Sequence, residues 1–395
     1  MIIDKYLQNY AAPESLTERA SSHTWSHAVV IPVCDEPFDS VWRVTEALAS
    51  AEPYLEVWVV NHPIHASAEV KQANQNLLDA LIQRAGHIQP WSPCATLYQI
   101  AQRAIVAIYC PDLPLKEGVG RARKVGADLV LRLWMQGCIR APWIWMTDAD
   151  ACLPVDYFHR VQDLPANTAA CVYPFEHVPE GCGVQREALA AYERRLRQYA
   201  AGLQWAQSPY AFVSIGSLMV CSMTAYAQVR GIPRKSAGED FYFLNKVAKL
   251  GRVYTLGGEP VTLSGRVSRR VPFGTGQVLA EAIDRGGETE RLRGYPLILF
   301  KPLQILLDTV NASAMQAGTS AEVCLAQLRT RMESAGLSAA SAEASIAQFQ
   351  LLTGMKQWAH TPSPARRRAQ FHEWFDGLKT LQWVHWWRAQ GELGE

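Results

Sequence analysis

The sequence has almost no net charge and no closely spaced cysteine pair. Its 395 residues include 38 basic and 37 acidic side chains, so no overall field draws the protein to nucleic acid or to an anionic membrane. The nine cysteines are odd in number, and none forms a Cys-x-x-Cys pair. Scattered thiols of this kind are typical of a reducing compartment. We therefore expect a cytoplasmic protein that has no disulfide framework and does not bind nucleic acid.

Long hydrophobic runs are also missing. The first 16 residues lack the basic and apolar regions of a signal peptide. The best candidate for a membrane span is Tyr295–Val310, which is short and is interrupted by Pro296, Lys301 and Pro302. This pattern argues against a processive synthase with its own membrane channel. It leaves a peripheral membrane contact open.

What the sequence does contain is an alternation of strand and helix signals. Apolar, β-branched runs alternate with segments of helical spacing through the first 150 residues, which predicts an α/β doubly wound sheet with helices on both faces. The strand signals fall at 28–34, 55–60, 104–109 and 143–146, and the helical ones at 38–51, 69–85 and 119–137. A helix is predicted near 185–202, and strand signals return at 212–215, 218–221, 253–255 and 261–263.

The pattern becomes purely helical towards the end of the chain. We predict an N-terminal extension at 1–27, an α/β catalytic domain at 28–280, and a helical C-terminal region at 281–395 that packs on it. Five of the 13 tryptophans fall between Trp358 and Trp387. In the same region one helical stripe is predicted from Phe371, Trp374, Phe375, Leu378 and Leu381. Core packing of this helix against the preceding domain explains the stripe, but an acceptor, partner or membrane-facing surface at 383–388 stays open.

Two aspartates follow the apolar strand 143–146 directly. Asp148 and Asp150 lie where a buried strand emerges at its carboxyl end, and ligands of open α/β sheets bind at that edge. Mg²⁺ and Mn²⁺ prefer oxygen ligands and often use one or two carboxylates beside substrate phosphates. The spacing therefore predicts a divalent metal site, while a solvated turn or a helix cap is the alternative.

A second acidic pair, Glu239 and Asp240, begins a predicted helix that ends near Gly251. Acidic residues at a helix start are favoured by the helix dipole, so capping explains one of them. Two adjacent carboxylates are harder to explain in this way. We predict that one of them acts as a general base.

Basic residues form two local clusters. Arg121, Arg123 and Lys124 lie on the helix before the aspartates, and Arg266, Arg269 and Arg270 precede a glycine-rich stretch at 272–276. Arginine suits phosphate recognition, and glycine allows close backbone approach. We predict nucleotide-diphosphate contacts from Arg121, Lys124, Arg266 and Arg270, with the later segment acting as a lid. A solvated helix face is the alternative for the earlier cluster.

Three further polar residues give weaker signals. Glu176 and His177 follow a predicted strand at 169–172, and Tyr210 lies in an aromatic segment. Glu176 and His177 have the chemistry to bind a hydroxyl group, although an ordinary turn explains them as well. We keep these three residues as weaker binding candidates.

Several motifs together resemble a known family. In chain order they are Val30-Ile31-Pro32-Val33-Cys34-Asp35-Glu36, Val57 to Asn61, Gly118 to Asp128, Asp148-Ala149-Asp150, and Ile215-Gly216-Ser217 followed by Arg230-Gly231 and Gly238-Glu239-Asp240. This order resembles the family-two-type glycosyltransferases with the GT-A nucleotide-diphosphosugar-binding fold. The resemblance covers about residues 28–275 and leaves the last third of the chain uncovered.

The resemblance implies roles for individual residues. Asp35, Glu36 and Asn61 would contact the nucleoside, Asp150 with Asp148 would hold Mn²⁺ or Mg²⁺, and Asp240 beside Glu239 would deprotonate the acceptor. The implied activity is a non-processive, inverting, metal-dependent hexosyltransferase that uses a nucleotide-diphosphate sugar and an acceptor hydroxyl of unknown identity.

Two other functions stay open at this point. One is a catalytically inactive nucleotide-sugar-binding or scaffold protein, against which the retention of both acidic pairs argues. The other is a sugar-phosphate nucleotidyltransferase, which would need a glycine-rich loop directly after the first strand. Cys34-Asp35-Glu36-Pro37 offers no glycine there.

Overall fold

The computed structural model describes residues 1–16, 23–48, 52–181, 183–269, 274–287, 289–316 and 318–393. The chain divides into two compact units. The first consists of Met1–Ala190 and Ser214–Thr289, and the second of Ala191–Val213 and Glu290–Glu395. The first unit carries the strands, and the second is helical.

Twelve strands are described, and they are β1 His27–Val33, β2 Tyr54–Pro63, β3 His87–Ser92, β4 Ala95–Ile100, β5 Arg103–Leu113, β6 Trp143–Met146, β7 Ala151–Cys152, β8 Thr168–Val172, β9 Phe175–Val178, β10 Met219–Ser222, β11 Arg252–Thr255 and β12 Val261–Ser264. The helices before residue 290 are α1 Ile2–Asn9, α2 Phe38–Val44, α3 Ala68–Arg84, α4 Gly118–Met135, α5 Val184–Trp205, α6 Met223–Gln228, α7 Glu239–Val247 and α8 Thr275–Asp284. Those after it are α9 Lys301–Met315, α10 Ala321–Ser334, α11 Ala339–Gln348, α12 Leu351–Gly354, α13 Pro364–Trp374 and α14 Gly377–Gln390.

Nine of the strands form one mixed sheet in the order β11-β8-β10-β6-β1-β2-β5-β4-β3. Strand β1 is parallel to both β2 and β6, and β2 is parallel to β5. All seven residues of β1 are buried, as its apolar, β-branched sequence requires of a central strand. The predicted α/β class, with a large mixed sheet flanked by helices and a helical C-terminal addition, is confirmed. A second sheet of three short strands, β7-β12-β9, lies in the same unit.

Helix α4 packs against β1, β2, β5 and β6. Its approach to the sheet is close at Gly126, where an added Cβ would lie 2.4 Å from a methyl carbon of Val30. A larger residue would push the helix away from the sheet. Because α4 also carries the first basic cluster, this contact fixes where those side chains lie relative to the strand ends.

Some elements differ from the sequence-based prediction. The expected strand at 212–215 is wrong, because that segment is irregular and leads into a 3-10 turn at Gly216–Leu218. The hairpin of β3 and β4 was not predicted, since half-exposed strands such as His87–Ser92 lack a continuous apolar run. Helix α1 was also not predicted, and it packs against α6 through the buried Tyr6.

The helical unit has its own apolar core. Trp358, Trp383 and Trp387 are at most 1% exposed within it. The predicted stripe that begins at Phe371 is not one helix, because α13 ends at Trp374 and α14 begins at Gly377 with Asp376 as its cap. These tryptophans therefore serve the core of the helical unit itself. The packing of this unit on the catalytic domain stays a prediction.

No helix within the described ranges combines the length and the hydropathy that a membrane crossing needs. Tyr295–Val310 instead contributes a 3-10 turn and the first part of α9. Leu299, Phe300 and Leu303 of this segment are buried in the helical core. Burial in a protein core accounts for most of its apolar residues, while Leu297 and Ile298 are exposed.

Candidate functional site

The candidate site lies at one edge of the large sheet. Because β1 and β6 are parallel neighbours, the loops that follow them emerge at the same edge. The loop after β1 carries Asp35 and Glu36, and the loop after β6 carries Asp148 and Asp150. Strand order therefore brings together acidic residues that are more than a hundred positions apart.

A single arginine of α4 connects two of the predicted acidic residues. Arg123 is 3% exposed, and its Nε donates to Glu239 Oε1 at 2.9 Å. Its Nη2 donates to Asp148 Oδ1, and its Nη1 donates to the carbonyl oxygen of Thr147 at 3.3 Å. The helix thus holds the start of α7 and the loop after β6 through one guanidinium group.

Two small residues complete the surroundings of Asp148. The Ser217 hydroxyl donates to Asp148 Oδ2, so both carboxylate oxygens have a donor. Gly216 makes room for the arginine, since an added Cβ would lie 2.3 Å from Arg123 Nη2. The Ile215-Gly216-Ser217 motif therefore contacts the aspartate motif through the arginine and the serine.

Asp240 lies beside this cluster in the first turn of α7. It is half-buried, and the Phe241 N–H donates to its Oδ1 at 2.7 Å. Burial, followed by the negative charge of Glu239, raises the pKa of Asp240 to about 7. A carboxylate with a pKa near neutrality can accept a proton and release it again under physiological conditions, as a general base must.

A second arginine binds Glu36 and Asp150, two further acidic residues of the sheet edge. Arg266 follows β12, and it pairs with both carboxylate oxygens of Glu36, with Nη1 at 2.9 Å from Oε2. Its Nη2 also lies 3.0 Å from Asp150 Oδ2. Glu36 is 4% exposed, so the Arg266 guanidinium compensates the charge of a buried carboxylate. The predicted contact of Arg266 with a nucleotide diphosphate stays a prediction.

The other two basic residues of the cluster on α4, Arg121 and Lys124, do not contact the acidic residues of the sheet edge in their described hydrogen bonds. Arg121 donates to Glu14, and Lys124 donates to Asp128 at 2.9 Å and to Tyr6. Both partners outside α4 belong to the N-terminal segment, so these contacts favour a structural role over the predicted diphosphate role. The cation of this helix that reaches Glu239 and Asp148 is Arg123, which is not among the residues predicted to contact the diphosphate.

Asp35 and Asn61, which are predicted to contact the nucleoside, both hydrogen-bond to Asn74 at the ends of β1 and β2. Asn61 is 6% exposed and donates to the carbonyl oxygens of Val33 and Val59, both at 3.0 Å. Asn74 donates to the Asn61 carbonyl and accepts from the Asp35 N–H. Asp35 has a φ of 56°, a left-handed conformation that this hydrogen bond helps to hold. Their contact with a nucleoside stays a prediction.

The residues that the family resemblance would place on the acceptor side belong to different units. Glu176 and His177 are on β9 of the small sheet, where the His177 Nε2 is 3.1 Å from the Thr275 hydroxyl. Tyr210 belongs to the helical unit, where its hydroxyl donates to the His372 carbonyl at 2.6 Å. Arg270 falls outside the described residues, so its role stays a prediction.

The predicted metal ligands can be judged by their donor chemistry. Within the described ranges, no group of three or more His, Cys, Asp or Glu side chains is arranged to hold a metal ion. Asp148 and Asp150 nevertheless fit a hard divalent cation, which often uses one or two carboxylates and takes its other ligands from phosphates and water. Arg266 would have to share Asp150 with such a cation or release it.

Comparison with solved structures finds a distant likeness. TarS of S. aureus, residues 1–349, has a TM-score of 0.38 at 12% identity, over 84% of this chain and 91% of that chain. Its complex with UDP-GlcNAc has a TM-score of 0.40 at 11% identity, over 84% and 92%. The mannosyltransferase PcManGT from Pyrobaculum calidifontis, with GDP-Man and Mn2+, has a TM-score of 0.35 at 15% identity, over 96% and 92%. No family model and no curated protein matches the chain significantly.

Proposed function

We propose that the protein is a glycosyltransferase that transfers a sugar from a nucleotide-diphosphate sugar to an acceptor hydroxyl. The observation that carries this proposal is the group formed by Arg123, Glu239, Asp148 and Asp240 at the ligand-binding edge of the sheet. The acidic motifs that resemble the glycosyltransferase family meet there through one arginine.

The proposed chemistry is a single inverting displacement. The acceptor oxygen forms a bond to the anomeric carbon while the bond from that carbon to the diphosphate oxygen breaks. Asp240 takes the proton of the acceptor hydroxyl, which its pKa of about 7 permits. Glu239, held by Arg123, lies beside Asp240, and its charge raises the pKa of Asp240 and so increases the basicity of that carboxylate.

A divalent cation, Mn²⁺ or Mg²⁺, is part of the proposal. Asp150 and Asp148 would hold it, and it would neutralise the charge of the leaving diphosphate. Arg266 keeps its two contacts with Glu36 when it gives up Asp150, so its guanidinium stays at the sheet edge as a phosphate partner.

The first experiment tests transfer and the base. Purified protein is screened with nucleotide sugars by thermal shift in the presence of Mn²⁺, and hydrolysis or transfer of the donor that binds is then measured. We expect Asp240→Asn to lower the transfer rate by about 10²- to 10⁴-fold with donor affinity unchanged. Asp163→Asn is the matched control, because Asp163 is exposed and has a left-handed φ of 59° that asparagine adopts equally well. A wild-type transfer rate in the Asp240→Asn variant would show that Asp240 is not the general base.

The second experiment tests the cation site by calorimetry with Mn²⁺ alone. Asp150→Asn should weaken Mn²⁺ binding, since it replaces a carboxylate ligand with an amide. Arg266→Lys should strengthen Mn²⁺ binding. Lysine preserves the positive charge beside Glu36 but lacks the guanidinium Nη2 that reaches Asp150. If neither substitution changes the Mn²⁺ affinity, Asp150 is not a metal ligand.

A further inference from the structure

The helical unit has a groove that the proposed chemistry does not use. It has a volume of about 700 Å³ and lies between the end of α11, the start of α12, and helices α13 and α14. This volume is within the range of about 300–1,000 Å³ that is usual for small-molecule sites. All of its lining residues are between 348 and 386, so the groove belongs to the helical unit by itself.

The lining combines aromatic rings with primary amides. Trp374 and Trp386 are partly buried, in contrast to their neighbours Trp383 and Trp387, which are wholly buried. The amides are those of Gln348, Gln350 and Gln382, and all three glutamines are exposed. None of the described lining residues carries a carboxylate, and the one ammonium is that of Lys379.

The rings are held in place. Trp386 makes edge contacts with Phe349 at 6.5 Å and with Trp387 at 5.1 Å between ring centroids, with interplanar angles of 89° and 86°. Trp374 has the Lys379 ammonium 4.8 Å from its ring centroid. These contacts restrict the orientations open to both indoles, which lowers the entropy cost of binding to them.

This chemistry selects among ligand classes. A strongly charged ligand would meet one ammonium, the imidazole of His385 and no carboxylate. A purely apolar ligand would cover three amides without giving them hydrogen-bond partners. A sugar ring presents an apolar C–H face, which packs on an indole, and hydroxyl pairs on its rim. A primary amide both donates and accepts, so it can bind two neighbouring hydroxyl groups at once.

We propose that this groove is a saccharide-binding site, and that it holds a neutral sugar chain of the acceptor. Trp386 and Trp374 supply the stacking surfaces, and Gln382, Gln348 and Gln350 bind the hydroxyl groups. The assignment of this chain to the acceptor rests on the proposed function, whereas saccharide binding by the groove does not.

The test uses the full chain with Asp240→Asn, so that transfer does not interfere with binding. The probes are maltoheptaose, cellohexaose, chitohexaose and mannohexaose, and binding is followed by saturation-transfer NMR and calorimetry. At least one probe should bind with a millimolar or lower Kd. Trp386→Ala and Gln382→Ala should each weaken that binding by about tenfold or more, whereas Gln390→Ala should leave it unchanged. Gln390 is the matched control because it is exposed on the same helix and does not line the groove.

Folding is checked for every variant by circular dichroism and Tm. If Trp386→Ala fails to fold, Gln382→Ala decides the outcome, because Gln382 is an exposed helix residue. The proposal is overturned if none of the four probes binds, or if binding persists in both groove variants. It is also overturned if the groove variants instead abolish binding to phosphatidylcholine–phosphatidylglycerol vesicles or self-association. Saccharide binding without any sugar transfer by the wild type would sink the proposed function and leave the groove assignment standing.

Discussion

Helix α4 carries two adjacent cationic residues whose surroundings differ. Arg123 reaches the carboxylates of Glu239 and Asp148, whereas Lys124 reaches Asp128 and the Tyr6 hydroxyl. Neighbouring residues of a helix project about 100° apart, so one faces the strand ends and the other faces the N-terminal segment. Both are nearly fully buried, at 3% and 5% exposure. Burial alone therefore does not separate their roles.

Charge balance and hydrogen bonding do separate them. Lys124 and Asp128 form one buried pair, and Asp128 also accepts from Tyr6, from Tyr226 at 2.7 Å and from the Ala12 N–H at 2.7 Å. Such a network is satisfied internally and favours stability. Around Arg123, one guanidinium faces three acidic side chains, those of Glu239, Asp148 and Asp240. The excess negative charge contributes to the raised pKa of Asp240, which makes it usable as a base.

Arg123→Met should have the largest effect of the substitutions that test this comparison. It leaves the buried Glu239 without its guanidinium partner, and breaking a buried pair in this way costs about 3–5 kcal/mol. It also frees Asp148 and the start of α7, so transfer should be lost as well. Urea denaturation and a transfer assay measure the two effects. Full activity in a folded Arg123→Met protein would contradict the role of this residue at the site.

Lys124→Met should destabilise to a similar extent, about 3–5 kcal/mol, because it leaves the fully buried Asp128 carboxylate without its cation. If the role of Lys124 is structural, the folded fraction at low temperature should keep the donor KM of the wild type. Chemical denaturation and steady-state kinetics provide the two readouts. A raised donor KM in a stably folded variant would instead support the diphosphate role that the sequence predicts.

The pH dependence tests the charge imbalance around Asp240. Its raised pKa means that the base is protonated, and inactive, below about pH 7, so log kcat/KM should rise with a slope of one up to that pH and then level off. Glu239→Gln removes the neighbouring negative charge, and the midpoint should move to lower pH. A pH profile that is the same in both proteins would show that Glu239 does not set the pKa of Asp240.

The same raised pKa has a consequence for stability. Between the usual aspartate pKa of about 4 and the folded-state value of about 7, the folded protein binds more protons than the unfolded chain, so Asp240 makes stability fall as pH rises. Asp240→Asn should reduce this decline. Denaturation midpoints of the two proteins at about pH 5 and about pH 8 measure it.

Tyr6→Phe should have the smallest effect. It removes one of several donors to Asp128 and leaves Lys124, Tyr226 and the Ala12 N–H in place. Loss of a single hydrogen bond to a charged group costs about 1–3 kcal/mol. Transfer kinetics should not change, and Tm reports the loss. A decrease in kcat at unchanged stability would show that the N-terminal segment acts on the Arg123 side of the helix.

The strands of the site were predictable from residue type alone. The runs that became β1, β2, β5 and β6 each have a predominantly apolar centre, which is typical of central parallel strands. The polar end of β6 identified Asp148 and Asp150 as candidates, whereas Glu36 was a candidate only through the family resemblance. The half-exposed hairpin of β3 and β4 gave no comparable signal, since its pattern does not differ clearly from that of a loop.

The choice of cation was not predictable in the same way. The Arg121, Arg123 and Lys124 cluster suggested anion binding, but only the direction of each side chain from the packed helix decides its partner. Gly216 gave a signal, since a glycine before a serine in the Ile215-Gly216-Ser217 motif suggests close approach by another group. The group that approaches is Arg123, and this follows only from the packing of α4 on the sheet.

The sequence by itself determined the α/β class, the helical character of the C-terminal region, and the acidic positions that follow β6 and begin α7. These features depend on local periodicity and on residues adjacent in the chain. Tertiary structure decided that Arg266 joins Glu36 across 230 positions, that Lys124 belongs to the N-terminal network, and that Trp386 lines a groove while Trp387 is buried. Such pairings depend on which elements meet in space, and the pattern of any one segment does not contain that information.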